Sequence, residues 1–160
     1  MRAILATAVV AGTVGFVAGA AAWYLFSPLL FDEVVAEAAP RSDALAPVAS
    51  GAFRDADRAH KGTGTATVLS SDDETVLRLT EFEVTNGPDL EVWLVKAGEI
   101  GSSADVKASE WLSLGQLKGN VGDQNYTVPA GTDLRAYRSV VIWCEQFGVL
   151  FSAADLAPAS

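Results

Sequence analysis

The chain has 160 residues, half of them apolar, with 20 Asp and Glu against 11 Lys and Arg, one histidine and one cysteine. That length holds one domain of ordinary size, a lone cysteine excludes an internal disulfide framework, and one Cys with one His is too few for a structural zinc site. Every acid and ten of the eleven bases lie beyond residue 31, so that part carries a charge of about −10, repels nucleic acid, and has no basic patch with interleaved aromatics to attract it.

Residues 4–26, "ILATAVVAGTVGFVAGAAAWYLF", contain no charge. As a helix rising about 1.5 Å per residue they reach roughly 34 Å, against about 30 Å of bilayer hydrocarbon. Trp23 and Tyr24 fall near the outer end, where amphipathic rings favour the headgroup zone. Arg2 precedes the run, and Asp32, Glu33 and Glu37 follow it. The expectation is a single transmembrane helix, with residues 1–3 in the cytoplasm and the remainder outside, in the periplasm or at the cell surface. A signal peptide cleaved after Ala18-Gly19-Ala20 is the competing reading, but apolar character continuing through "WYLFSPLLF" suits a retained signal anchor. Gly15 and Gly19 form a G-x-x-x-G pair of the kind that lets helices approach.

Residues 27–50 are rich in Ala, Pro and acids without a sustained period, and read as a tether. From 51 to 157 short β-branched and aromatic runs alternate with turn residues, and 158–160 form a tail. "TGTATVLS" precedes the turn cluster "SDDE", and "TVLRLTEFEV" follows with Leu77 and Leu79 on one parity and Phe82 and Val84 on the other. A parity switch inside one strand predicts a bulge near Thr80–Glu81. "NGPD" (86–89) predicts a tight turn, with positive φ supplied at Asn86-Gly87. "LEVWLVK" is apolar on both faces, as a central strand is, and "AGEIGSSADVKASEW" reads as a polar loop. "SVVIWCEQFGVLF" (139–151) returns to strand character. These elements predict an all-β domain, an antiparallel β-sandwich following the membrane helix.

Five stretches form a set: "GAF" at 51–53, "HKGTGTA" at 60–66, "LRLTEFEVTNGPDLEVWL" at 77–94, "LGQLKGNVGDQNYTVP" at 114–129 and "YRSVVIWCEQFGVLFSAADL" at 137–156. In that order and spacing the chain resembles the DM13 family, also called the electron-transfer DM13 domain, over about residues 48–156. The resemblance implies an extracytoplasmic β-sandwich-like module. It also implies a redox role centred on a cysteine corresponding to Cys144, as a free thiol or as a ligand to a prosthetic group such as haem.

Read from its own surroundings, Cys144 has two fates. If Val140, Ile142 and Cys144 face the core, the thiol is a small buried hydrophobe and inert. A redox thiol instead needs a nearby cation, for which Arg138, Arg135 and Lys118 are candidates, while Glu145 beside it disfavours the thiolate. His60, the only histidine, is the natural partner to a thiolate or the second ligand to a shared group, and the spacing leaves it equally readable as an ordinary loop residue. Trp93, Trp111, Trp143 and Tyr126 fill a core or line a pocket. No G-x-S-x-G elbow or phosphate-cradling loop occurs. The chain therefore reads as a redox or binding module rather than a stand-alone enzyme. The first reading is a membrane-anchored electron-transfer module using Cys144, with His60, toward a redox or protein partner outside the cytoplasm. The alternative is a binding or adhesion module in which Cys144 is packing and the loops "GEIGSSADVK" and "GNVGDQN" meet a partner.

Overall fold

The structure, a computed structural model, describes residues 12–23, 31–41 and 44–159. The chain divides into two compact units, residues 1–31 and 32–160. In the first, residues 12–23 form helix α1, which at about 1.5 Å per residue is roughly 18 Å long. The transmembrane helix expected over 4–26 is not found: among the described residues no helix is long and apolar enough to cross a membrane. Residues 4–11 and 24–26 of that expected span lie outside the described residues.

The second unit is mostly β. Its strands are β1 (Val34–Ala36), β2 (Ala46–Asp55), β3 (Gly62–Ser70), β4 (Thr75–Val84), β5 (Leu90–Val95), β6 (Trp111–Gln116), β7 (Val121–Thr127), β8 (Ser139–Cys144), β9 (Val149–Asp155) and β10 (Ala157–Pro158). Hydrogen bonds join them in the order β1-β7-β4-β3-β2-β9-β8-β5-β6, with β10 on β2. The expected sandwich is therefore corrected to one sheet curled into a half-barrel. The reason lies in β2. Its Ala46–Ala52 stretch pairs with β3, and Phe53–Asp55 pair with β9, so one strand serves both halves and they never separate.

Two segments depart from their local reading. Within residues 27–50, Val34–Ala36 add to the sheet as a parallel strand on β7, and β2 already begins at Ala46. β1 is held by side chains distant in sequence: Lys118 bonds Glu37 at 2.8 Å, and Asn120 Oδ1 accepts from the Glu33 N–H at 2.7 Å. The loop after β5 contains a short helix, α2 (Ser103–Lys107), whose first turn is capped by the Ser102 hydroxyl and whose Val106 is buried.

The bulge in β4 falls where the parity switch puts it. The β4–β7 register breaks between Leu79 and Glu83, and Glu81 takes φ 49°. Gly64 on β3 answers it with φ 101°, and a Cβ there would lie 2.6 Å from the Phe82 Cα. By switching parity, β4 buries Leu77 and Leu79 before the bulge and Phe82 and Val84 after it in the same cluster.

That inner cluster also takes Leu90, Val92 and Leu94 from β5 and Val140, Ile142 and Cys144 from β8. The opposite faces of β5 and β8 supply Trp93, Val95, Val141 and Trp143 to a second cluster, closed by Ile100 and Val106 from the α2 segment. This explains why both strands are apolar on both faces.

Buried polar groups in the half-barrel are satisfied. Tyr126 donates to the Gln124 side-chain oxygen at 2.7 Å and accepts from the Lys118 N–H at 3.0 Å. Burial pushes its phenol up to about 12. A raised pKa means the contribution of this group to stability is complete below pH 10 and is lost as pH rises from about 10 to about 12. Ultraviolet difference titration should accordingly show one tyrosine ionising near pH 12 that shifts back toward 10 on unfolding. Gly64→Ala should cost about 1–3 kcal/mol in denaturant unfolding, from strain at the left-handed position and contact with the β4 backbone. Ala at an exposed site of negative φ should cost far less.

Candidate functional site

Cys144 ends β8. Cross-strand pairing sets it between Leu90 of β5 and Val149 of β9, and alternation turns its side chain to the inner cluster while Trp143 points to the outer one. Its solvent exposure is 0%. The thiol donates to the Pro88 carbonyl at 3.1 Å, and the neighbouring Glu145 N–H bonds the Asp89 carbonyl at 3.0 Å. The "NGPD" turn is thus tied to the end of β8 at the sulfur and at the following residue. Beyond Cys144 the chain is exposed at once, through Glu145, Gln146 and Phe147. The thiol is buried, but only one residue from the surface.

The turn itself differs from its sequence reading. Positive φ falls at Asp89 (50°), not at Asn86-Gly87. Gly87 is needed for another reason: a Cβ there would lie 2.5 Å from the Phe151 ring.

None of the three cations proposed to assist the thiol reaches it. Lys118 is engaged with Glu37 and the Asn125 carbonyl. Arg138 and Arg135 precede β8, at the end of the strand opposite Cys144. Sequence reasoning passed over Lys107, whose amine sits 5.7 Å from the Trp143 ring centre on the outer face, beside Gly148 of the β8–β9 turn. Its position on α2 depends on a helix that the polar composition of that loop concealed.

His60 lies at the rim, its side chain 25% exposed. Nδ1 bonds Asp57 Oδ2 at 2.8 Å, while Asp57 Oδ1 accepts the Ala59 and His60 backbone N–H groups. The ring packs on Phe151 at 4.3 Å. Phe151 and Cys144 share the inner cluster, yet no hydrogen bond joins imidazole and thiol, and each is committed to another partner. The tight Asp57-x-x-His60 turn was the signal available in the sequence for this pairing.

Haem held by Cys144 does not fit this packing. The sulfur has no open face and already donates to a carbonyl. The described clefts also have other walls. One, of about 280 Å³, is lined by Trp93, Trp111, Trp143, Lys107 and Glu145; a second by Lys61, Glu83 and Asn120; a third by Leu134, Arg135 and Tyr137. Among the described residues no group of three or more Cys, His, Asp or Glu could hold a metal.

The aromatics expected as core or pocket are both. Trp93 and Trp143 are buried, 5.2 Å apart, and Trp111, 48% exposed, stacks on Trp93 at 3.9 Å. Trp93 is oriented by its indole N–H bond to Glu91 at 2.7 Å.

A curled, mostly antiparallel sheet with one enclosed thiol at the end of β8 defines an all-β domain. The chain belongs to the family described as electron transfer DM13, which matches residues 53–156. No curated protein and no solved structure matches it.

The hydrogen bonds to His60 hold the Asp57 carboxyl down at about 2. Being depressed, it favours the fold above about pH 4 and loses that contribution as pH falls toward 2. Carboxyl-carbon NMR titration should show that midpoint, and His60→Gln should move it back up toward 3.8.

Proposed function

We propose that this chain is an electron-transfer module whose redox group is the Cys144 thiol itself, anchored by its N-terminal segment with the β domain on the extracytoplasmic side of a membrane. Membership of the electron transfer DM13 family carries the reading. It is supported by the position of the thiol, enclosed beneath a short turn rather than deep within the sheet. A lone cysteine makes no internal disulfide, so its chemistry needs a second sulfur. The thiolate attacks a partner's disulfide, a mixed disulfide forms, and the partner's other sulfur leaves as thiolate. The Cys144 proton passes to solvent, Cys144 is oxidised to the mixed disulfide, and one of the partner's two sulfurs is reduced to thiolate while the other stays bonded to Cys144. The enclosure requires the Asn86–Asp89 turn to lift first, which makes the thiol selective for a partner that opens it.

The Trp93–Trp111–Trp143 cleft favours a second reading, a binding module at the cell surface in which Cys144 is packing. The two differ in what Cys144 does in the folded protein.

The deciding experiment follows thiol modification by an aromatic disulfide in the full chain, together with its visible spectrum. The redox reading expects a colourless protein whose single thiol reacts more slowly than a free cysteine but faster than global unfolding. Pro88→Gly should accelerate the reaction several-fold with little change in melting temperature, because it loosens the covering turn. Reaction only at the rate of unfolding would leave Cys144 as core and favour the binding module. A haem-like band lost in Cys144→Ser would return the cofactor-ligand role that the packing disfavours.

A further inference from the structure

At the end of β8 opposite Cys144 lies a cavity of about 550 Å³, within the range of about 300–1,000 Å³ typical of small-molecule sites. Its floor is apolar: Val48 from β2, Leu134 from a 3-10 turn (Leu134–Ala136), Leu156 and Pro158. Leu134, Leu156 and the lining Tyr137 also pack against the inner core, so the floor is an edge of that core left open. It opens beside Val48, where the β2–β3 register shifts between Pro47 and Ala49, with the two-residue β10 paired to Ala49 and Ser50 and the Ala159 N–H bonding the Val48 carbonyl. Val48 keeps 43% of its surface exposed there.

The rim carries Arg135 and Arg138. Elsewhere in the domain arginines at structural positions meet carboxylates, Arg54 with Asp155 at 2.9 Å and Arg78 with Asp123 at 2.6 Å. Among the described residues Arg135 and Arg138, like Arg41 and Arg58, have no ion pair, but only Arg135 and Arg138 line this cavity. The nearby acid, Asp133, accepts the Arg135 backbone N–H at 3.2 Å and caps the 3-10 turn. In a chain of net charge −9, two arginines in the lining of a largely apolar cavity, Arg138 running past Gly98 at its edge, select one ligand chemistry. The forks match a carboxylate, the floor matches a hydrocarbon body, and the acidic surface elsewhere repels such an anion.

We propose that this cavity binds an apolar carboxylic acid, its chain against Val48, Leu134 and Leu156 and its carboxylate between Arg135 and Arg138. The site is separate from Cys144 and does not depend on the thiol's role.

Calorimetric titration of the full chain with decanoate, below its micellar concentration, tests it, with decanol and acetate as controls. Decanoate should bind, while decanol, lacking the charge, and acetate, lacking the chain, should bind at least about tenfold more weakly. The double variant Arg135→Gln/Arg138→Gln should weaken decanoate by about tenfold or more at an unchanged melting temperature, since both side chains are exposed. In the wild-type methyl spectrum, decanoate should shift Val48, Leu134 and Leu156. Equal binding of decanol, unchanged affinity in a folded double variant, or shifts confined to residues outside this cavity would overturn the proposal. Should the variant melt early, the wild-type methyl shifts decide.

Discussion

Everything in the β domain depends on β2 serving two half-sheets. Its early residues hydrogen-bond β3 and its last three bond β9, and the change of partner demands close backbone contact. Gly51 lies against the Asp155 backbone, where no Cβ fits, and Gly62 against the Ser152 side chain. Ser152 donates to the Arg54 carbonyl at 2.8 Å, while the Arg54 guanidinium bonds the Ile100 carbonyl at 2.6 Å and Asp155 at 2.9 Å. One short stretch of β2 thus fixes the curl, the placing of β9 and, through Ile100, the segment carrying α2.

With β9 placed, β8 becomes a strand paired on both sides, and its alternating side chains feed two different apolar clusters. Cys144 and Trp143 are neighbours in sequence but occupy opposite faces of the sheet. The enclosed thiol and the partly open tryptophan cleft are therefore two sides of one strand end.

Charge is distributed according to structural demand. Arg78, only 12% exposed in its side chain, spans β4 and β7 through Asn125 and Asp123 and also reaches the Glu37 carbonyl, so its geometry counts for more than an exposed pair would. Lys118 and Glu37 hold β1 in place, and the same pairing lowers the Glu37 carboxyl below its ordinary range. Ion pairs of this kind hold Arg54, Lys61, Arg78, Lys96 and Lys118.

Local pattern carried a definite part of this. Strand periodicity in "TVLRLTEFEV" placed the bulge near Thr80–Glu81, and alternation in "VVIWC" put Cys144 on one face with Val140 and Ile142, because period-2 geometry is a property of the strand alone. The family was legible too, since its motifs are contiguous stretches. Partner choice was not. That β2 leaves β3 for β9, that Val34–Ala36 add to β7, that Gly87 makes room for Phe151, and that Arg135 and Arg138 lie far from the thiol all depend on register between segments distant in the chain. Register is decided when strands compete for the same hydrogen bonds and apolar faces, and that competition exists only in the folded sheet.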